Sequence, residues 1–452
     1  MTNIKITDQT GAAGGGATGG AVVAPTLCEG LVERIGTRLP DGVINYHWLA
    51  AGSVCTVSVG QDTRTGRLSL VRSQQLGGAL DHLPGAAQEI ALCKKLRTSE
   101  CPPELALPTQ WQLGRYGLLS SIYPSEHIGM FELFAFAERR VNSGTEWWIP
   151  NQFLHFDDTM AIVCPIVNAA AYLHRQGIVH CDLKPENCFV TPRGAIKVGD
   201  MGAAHYAGEH GRFAIGTAPF MAPECFSAGP VPVALDQVRP EIDVYALGLL
   251  ANEMATGRCS LMEDFPGVPV WDIGIFIGIS DRDLFNERSH ILAKRDPLGT
   301  AFYDKTVAHW ISPDPSVPQH DANFGLLAAI LPAMMHPDPA MRPTTDGVAR
   351  HFFGGELELS VARREGYQER VRQMFIRFCA PVDMLRALDD ASATGNGALW
   401  CHLTVPMREQ KSLGLSIEQN LVQQSMGYVV VNEEEIPMRL EAEYGKTIAK
   451  MA

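Results

Sequence analysis

At 452 residues the chain exceeds a single typical core, and its length suggests about two to three domain-sized units. Hydrophobic residues make up 46% and charged residues 19%, the balance of an ordinary soluble globular protein. With 37 basic against 50 acidic residues the net charge is −13, which argues against nonspecific binding to nucleic acid or to an anionic membrane. Eleven cysteines, odd in number and without a CxxC pair, fit free thiols in a reducing compartment. No stretch has the length of a membrane helix, and the N-terminus lacks the basic-then-apolar order of a signal peptide. A cytoplasmic location is the default expectation, with leaderless export as the alternative.

Residues 1 to about 25 include GAAGGGATGG, which has almost no apolar side chains to bury and reads as a flexible tail. Its glycines lack the lysine and Ser/Thr that would follow in a phosphate loop. From about 43 the chain turns strand-like. Val54, Val57 and Val59 precede the turn Thr65-Gly66, and Leu68, Leu70 and Val71 follow it, as in a hairpin. Residues 86–96, AAQEIALCKKL, carry apolar residues at helical spacing. Residues 116–123, YGLLSSIY, read as a further strand, and 138–155, with Trp147, Trp148 and Pro150, as a loop-like insertion. A long helix is expected over about 157–176, ending at Gly177, with Pro165 disturbing its first half.

The octapeptide His180-Cys181-Asp182-Leu183-Lys184-Pro185-Glu186-Asn187 comes next. It leads into a short strand Cys188-Phe189-Val190, a turn Pro192-Arg193-Gly194 and a strand Ile196 to Val198, which delivers Gly199-Asp200-Met201-Gly202. GTAPFMAPE at 216–224, DVYALG at 243–248 and HPDPAMRPT at 336–344 follow. A polar surface turn explains an isolated aspartate or asparagine, but not this whole octapeptide with a second Asp-x-Gly at fixed spacing. His180, Cys181 and Cys188 match no standard zinc pattern, and small buried thiols are the commoner use of such cysteines. Residues 355–452 carry no legible chemistry. Leu357 to Phe378 could form a charged amphipathic helix, VVVNEEEIP a strand running into an acidic turn, and the favoured reading is a helical extension packed on the preceding lobe.

HCDLKPEN with GDMG resembles the catalytic loop and metal-binding segment of the eukaryotic-type protein kinases. The resemblance extends over about 43–354 and implies an α+β, bilobal fold, with a small β-rich N-lobe (about 43–123) and a larger helical C-lobe (about 124–354). It implies ATP and Mg²⁺, with Mn²⁺ as an alternative, and a protein substrate, without nucleic-acid or membrane partners. Residue by residue, Asp182 matches the aspartate that orients the attacking hydroxyl, Lys184 the lysine at the γ-phosphate, and Asn187 and Asp200 the metal ligands. Thr217 matches a threonine facing Asp182, and Glu224 a docking-loop glutamate paired with an arginine, here Arg342. Asp243 matches the aspartate that holds the catalytic-loop backbone, and His180 opens that loop.

The N-lobe departs from the family pattern. The three glycine positions of the nucleotide loop fall on Ala50, Gly52 and Cys55, and side chains at the outer two impede close approach of backbone amides to phosphate oxygens. Arg72 stands where the nucleotide lysine belongs, and no lysine occurs between residues 6 and 93. Glu89 is the candidate partner of that cation. Leu70 and Val57 above and Phe189 below should line a tight apolar adenine slot, with Ser120 near the gatekeeper position. Two readings follow. One is a serine/threonine protein kinase, slowed by Arg72 and independent of activation-loop phosphorylation. The other is a pseudokinase that keeps the fold as a nucleotide-binding or scaffolding module. Arg72, Leu70, Ala50 and Cys55 favour the second, and the retained Asp182 and Asp200 favour the first.

Overall fold

The computed structural model describes residues 43–51, 55–62, 68–75, 83–98, 100–113, 118–124, 131–132, 156–191, 193–210, 216–217, 220–225, 237–256 and 322–378. The tail, Gly52, Val54, the Thr65-Gly66 turn, the 138–155 insertion and the VVVNEEEIP segment lie outside these residues.

Five antiparallel strands open the fold: β1 (Val43–Ala51), β2 (Cys55–Asp62), β3 (Leu68–Gln75), β4 (Gln110–Leu113) and β5 (Leu118–Tyr123). They lie in the order β1-β2-β3-β5-β4. Helix α1 (Leu83–Leu96) is inserted between β3 and β4. It starts three residues before the apolar pattern, at Leu83, because Pro84 fits a first helical turn whose N–H groups lack partners anyway. Alternation along each strand gives the sheet two faces, and register decides which residues share one. Val57 lies opposite Arg72, Val59 opposite Leu70, and Ser121 and Tyr123 opposite Arg72 and Leu70 in turn.

Helix α2 (Phe156–Arg175) is the axis of the second lobe, and every residue from Thr159 to Leu173 is buried. It runs unbroken through Pro165, contrary to the expected disturbance. A helix-interior proline costs about 3 kcal/mol, which burial of several large apolar side chains at about 1.5–3 kcal/mol each offsets. Around α2 pack α3 (Glu241–Thr256), α4 (Ala322–Met334), α5 (Thr345–Phe353) and α6 (Val361–Phe378). Helix α5 has both ends capped. Thr344 Oγ1 accepts the Gly347 amide at 3.1 Å, and Gly354 closes the C-terminus at φ +68°, a conformation that favours glycine.

Two small sheets join the helices to the first lobe. Strands β6 (Phe131–Glu132), β8 (Cys188–Val190) and β9 (Ile196–Val198) form one, and β7 (Ile178–Val179) pairs with β10 (His205–Tyr206) in the other. The segment Glu104–Ala106 lies along β9. Val198 N donates to Glu104 O at 2.7 Å, and Ala106 N donates to Val198 O at 2.8 Å. The architecture is the bilobal α+β arrangement, sheet-rich first and helical second. Among the described residues no helix is long and apolar enough to cross a membrane.

Candidate active site

The octapeptide leaves β7 in a shape that only a buried anion sustains. Asp243, at the start of α3 and 0% exposed, accepts the amides of His180 at 2.7 Å and Cys181 at 2.8 Å. Cys181 itself is at φ +65°, a left-handed conformation uncommon for a side-chain-bearing residue. Burial pushes the Asp243 carboxyl up, but the hydrogen bond and charge of His174, at 2.8 Å, and the neighbouring His180 outweigh it and hold it below 3.8. The His180 ring ties the loop to the second motif. Its Nε2 donates to Gly199 O at 3.0 Å, and its Nδ1 accepts the Asp182 amide at 3.3 Å.

Asp182 is the hub of a polar cluster. Its Oδ1 accepts the Thr217 hydroxyl at 2.7 Å, and its Oδ2 accepts Asn187 Nδ2 at 2.9 Å and meets Lys184 Nζ at 2.9 Å. Lys184 also donates to Thr217 Oγ1, so that hydroxyl accepts from the lysine and donates to the aspartate. Asn187 Nδ2 further donates to the Asp182 carbonyl at 2.8 Å. With the amide nitrogen committed to Asp182, the asparagine oxygen is the atom left to face a cation. Gly199 N donates to Asn187 O at 2.9 Å, which brings Asn187 beside the residue preceding Asp200.

Asp200 is at φ +61° and opens the 3-10 turn Met201–Ala203. Its Oδ1 accepts the Gly202 amide at 3.3 Å and Arg72 Nη2 at 3.0 Å, and its side chain keeps 37% exposure, enough to meet a ligand. Burial raises its carboxyl, and the Arg72 charge more than compensates, so the group lies below 3.8. The arginine fork spans the cleft. Its Nη1 donates to Glu89 Oε1 at 3.1 Å and Oε2 at 3.4 Å, while Nη2 reaches Asp200. Burial at 3% exposure pushes Glu89 above 4.5 despite Arg72. Val57, Leu70 and Phe189 are each half-buried, Val57 and Leu70 on the Arg72 face of the sheet. A Cβ on Gly199 would lie 3.1 Å from the Phe189 ring, so glycine lets that ring close over the chain leading to Asp200. Ala50 is paired with Val57 on β1, and Cys55 begins β2. Glu224 and Arg342 form a bidentate pair at 2.6 and 2.8 Å, with the guanidinium stacked 4.8 Å over Tyr245.

One expected position is corrected by the register. Ser120 lies opposite Ser73, with the two hydroxyls 2.8 Å apart, on the face turned away from Arg72. The β5 residues on the Arg72 face are Ser121 and Tyr123. Tyr123, 6% exposed, therefore occupies the back of the cleft, where burial pushes its hydroxyl well above 10. A strand read without its partner leaves the phase of its alternation undetermined, and only pairing with Leu70 and Arg72 fixes it.

The loop, the cross-cleft ion pair and the buried Asp243 anchor occur together in a two-lobed frame, and residues 132–353 match the family model for the protein kinase domain. The chain carries a domain of the eukaryotic-type protein kinase superfamily. Curated serine/threonine kinases are similar to it over shorter stretches. A probable serine/threonine-protein kinase, pknA2 of Bifidobacterium longum, is 32% identical over 113 residues, covering 24% of this chain and 14% of that protein. Serine/threonine-protein kinase Nek4 of Mus musculus is 44% identical over 94 residues, 20% of this chain and 11% of that one. The serine/threonine-protein kinase US3 homolog of varicella-zoster virus is 36% identical over 111 residues, 24% and 26% respectively. The chain spans about a quarter or less of the length of these relatives. Its buried thiols Cys181 and Cys188 are free, and burial pushes both away from the thiolate form.

Proposed function

We propose that the chain transfers the γ-phosphoryl group of ATP to a serine or threonine hydroxyl of a protein. The observation that carries this reading is the Asp182 carboxylate, held by Thr217 and Asn187 with Lys184 against it. Such a carboxylate accepts the proton of an incoming hydroxyl as its oxygen bonds to the γ-phosphorus and the bond to the β,γ-bridging oxygen breaks, releasing ADP. Lys184 supplies a positive charge next to that carboxylate, where the transferred group gathers negative charge. Asn187 and Asp200 suit a Mg²⁺–nucleotide. They give oxygen donors too few for a protein-only cage, and a hard cation that retains waters and phosphate oxygens needs only one or two carboxylates. The metal, when bound, neutralises phosphate charge, and the chain's own part is to hold these oxygens adjacent through the Gly199–Asn187 backbone bond.

The chain's substitutions favour a slow enzyme. Arg72 retains a cation toward the phosphates and Glu89, but its planar fork is already spread over two carboxylates. That same feature supports a second reading, a pseudokinase in which nucleotide or partner binding replaces transfer. The deciding experiment is γ-phosphate transfer by the purified chain to itself and to a generic basic substrate, with Mg²⁺ and with Mn²⁺. Transfer abolished by Asp182→Asn supports the enzyme. Nucleotide binding with no transfer in wild type replaces it with the pseudokinase.

A further inference from the structure

Past Phe353, where the family match ends, the chain turns at Gly354 and Gly355 and returns as α6 along α2. Val371, Met374 and Phe375 of α6 are buried, and Arg370 meets Asp157 at 3.2 Å and Asp158 at 2.5 Å, at the start of α2. These contacts explain why the helix is there. Two others serve no need of packing on α2.

The first is Arg364. Its Nε bonds Glu104 Oε1, and its Nη2 lies 3.5 Å from Oε2. Glu104 is 3% exposed, and it also accepts Asn168 Nδ2 at 3.0 Å. Asn168 Oδ1 in turn accepts the Leu359 amide at 2.9 Å, so carboxylate, amide and the approach to α6 form one closed buried network. The backbone of Glu104 is what accepts Val198 N, on β9, two residues before Asp200. The second contact is at the other end of the same hairpin. Gly194 turns β8 into β9 at φ +81°, and a Cβ there would lie 2.0 Å from Gln368 O and 2.6 Å from Arg372 N of α6. Helix α6 therefore touches the β8–β9 hairpin at its turn and, through Glu104, at its exit. That hairpin begins directly after Asn187 and ends before Gly199 and Asp200.

We infer that α6, outside the family domain, is a brace for the metal-binding hairpin, with Arg364 as a positioning residue acting through Glu104 on Val198 and hence on Asp200. The inference deepens the functional reading above, because it takes Asn187 and Asp200 as the residues that meet the metal-bound nucleotide. Without Arg364, the buried Glu104 carboxylate keeps Asn168 as its side-chain partner among the described residues, and the Glu104–Val198 bridge opens more readily.

The test uses the full chain and two readouts, amide exchange and the affinity of a non-hydrolysable ATP analogue with Mg²⁺. Arg364→Ala should speed exchange at Val198 and Ala106 about tenfold, leaving Leu247 and Leu250 of α3 unchanged. It should weaken the Mg²⁺-dependent affinity by about threefold or more, with substantial recovery in Arg364→Lys. In a Glu104→Gln background, Arg364→Ala should have little further effect. Unchanged exchange at β9, a rise shared equally with α3, or unchanged affinity in a nucleotide-binding wild type would each overturn the proposal. A wild type that neither transfers phosphate nor binds the Mg²⁺-nucleotide sinks the functional reading instead, and selective exchange at β9 still decides the brace.

Discussion

The two walls of the cleft are built on different physical terms. On the C-lobe wall, Asp182, Lys184 and Asn187 lie within six consecutive residues, and their geometry follows from one buried carboxylate, Asp243, gripping the backbone before them. On the N-lobe wall, Arg72, Glu89 and Tyr123 come from β3, α1 and β5, and meet only once the sheet has its register. On the resemblance drawn from the sequence, the compact wall carries the family's residue types, whereas the assembled wall carries Arg72 in place of a lysine and Ala50 and Cys55 in place of two of three loop glycines. A site assembled from separate elements tolerates a change of side chain when neighbours re-pair, and Arg72 with two carboxylates is such a re-pairing. A loop whose aspartate is held by Thr217, Asn187 and Lys184 together does not.

The contrast breaks most sharply at Asp182. Asp182→Asn should lower phosphoryl transfer by about a thousandfold, the size expected for a positioned base, with the melting transition little changed. Equal transfer by the two proteins would leave the compact wall without a catalytic role. Next in size is Asp243→Asn, which removes a fully buried anion from three donors and should cost on the order of 3 kcal/mol in chemical denaturation. The sign with pH follows from the depressed carboxyl. Its contribution is complete above about pH 5 and is lost as pH falls through 3.8 toward its lower folded value, so the variant should have a flatter acid limb. A variant as acid-sensitive as wild type would remove Asp243 from the account.

Arg72→Lys sharpens the comparison from the other wall. Because the fork already satisfies Glu89 and Asp200, a lysine cannot replace all three bonds, and turnover should fall about tenfold rather than rise. A gain in turnover would mean that the assembled wall is merely degraded. The smallest effect is expected from phosphatase treatment, with mass spectrometry confirming a bare segment. Between Asp200 and Glu224 the hydroxyls are those of Tyr206 and Thr217. Thr217 is engaged with Asp182 and Lys184, Tyr206 sits beneath Lys95 at 4.8 Å, and buried Cys181 offers no charge to a phosphate. Activity should change by less than about twofold. A large drop on dephosphorylation would contradict this.

Legibility in the sequence followed the same division. The loop and Asp200 were readable because a short run of residue types carries the family resemblance, and that resemblance in turn implied the place of Thr217 and the Glu224–Arg342 pair. Arg72 and Glu89 were readable only through the family resemblance, as the positions of its nucleotide cation and that cation's helix partner. Tyr123 was not, since the phase of β5 depends on pairing with β3, and one step moves a side chain to the other face. The continuity of α2 through Pro165 was hidden because the burial that sustains it comes from helices distant in sequence. Glu104 carried no local signal at all. Its partner Arg364 is 260 residues away, and a glutamate in a short turn ordinarily points into water.

Helix α6 also separates two definitions of a unit. The family match stops at Phe353, yet the apolar surface of α2 is not closed until Phe375. A fragment cut at the family boundary would bare the seats of Leu359, Val371, Met374 and Phe375, at about 1.5–3 kcal/mol for each large side chain. Such a piece would expose a contiguous greasy strip and tend to self-associate, so a soluble, monodisperse fragment has to run through residue 378.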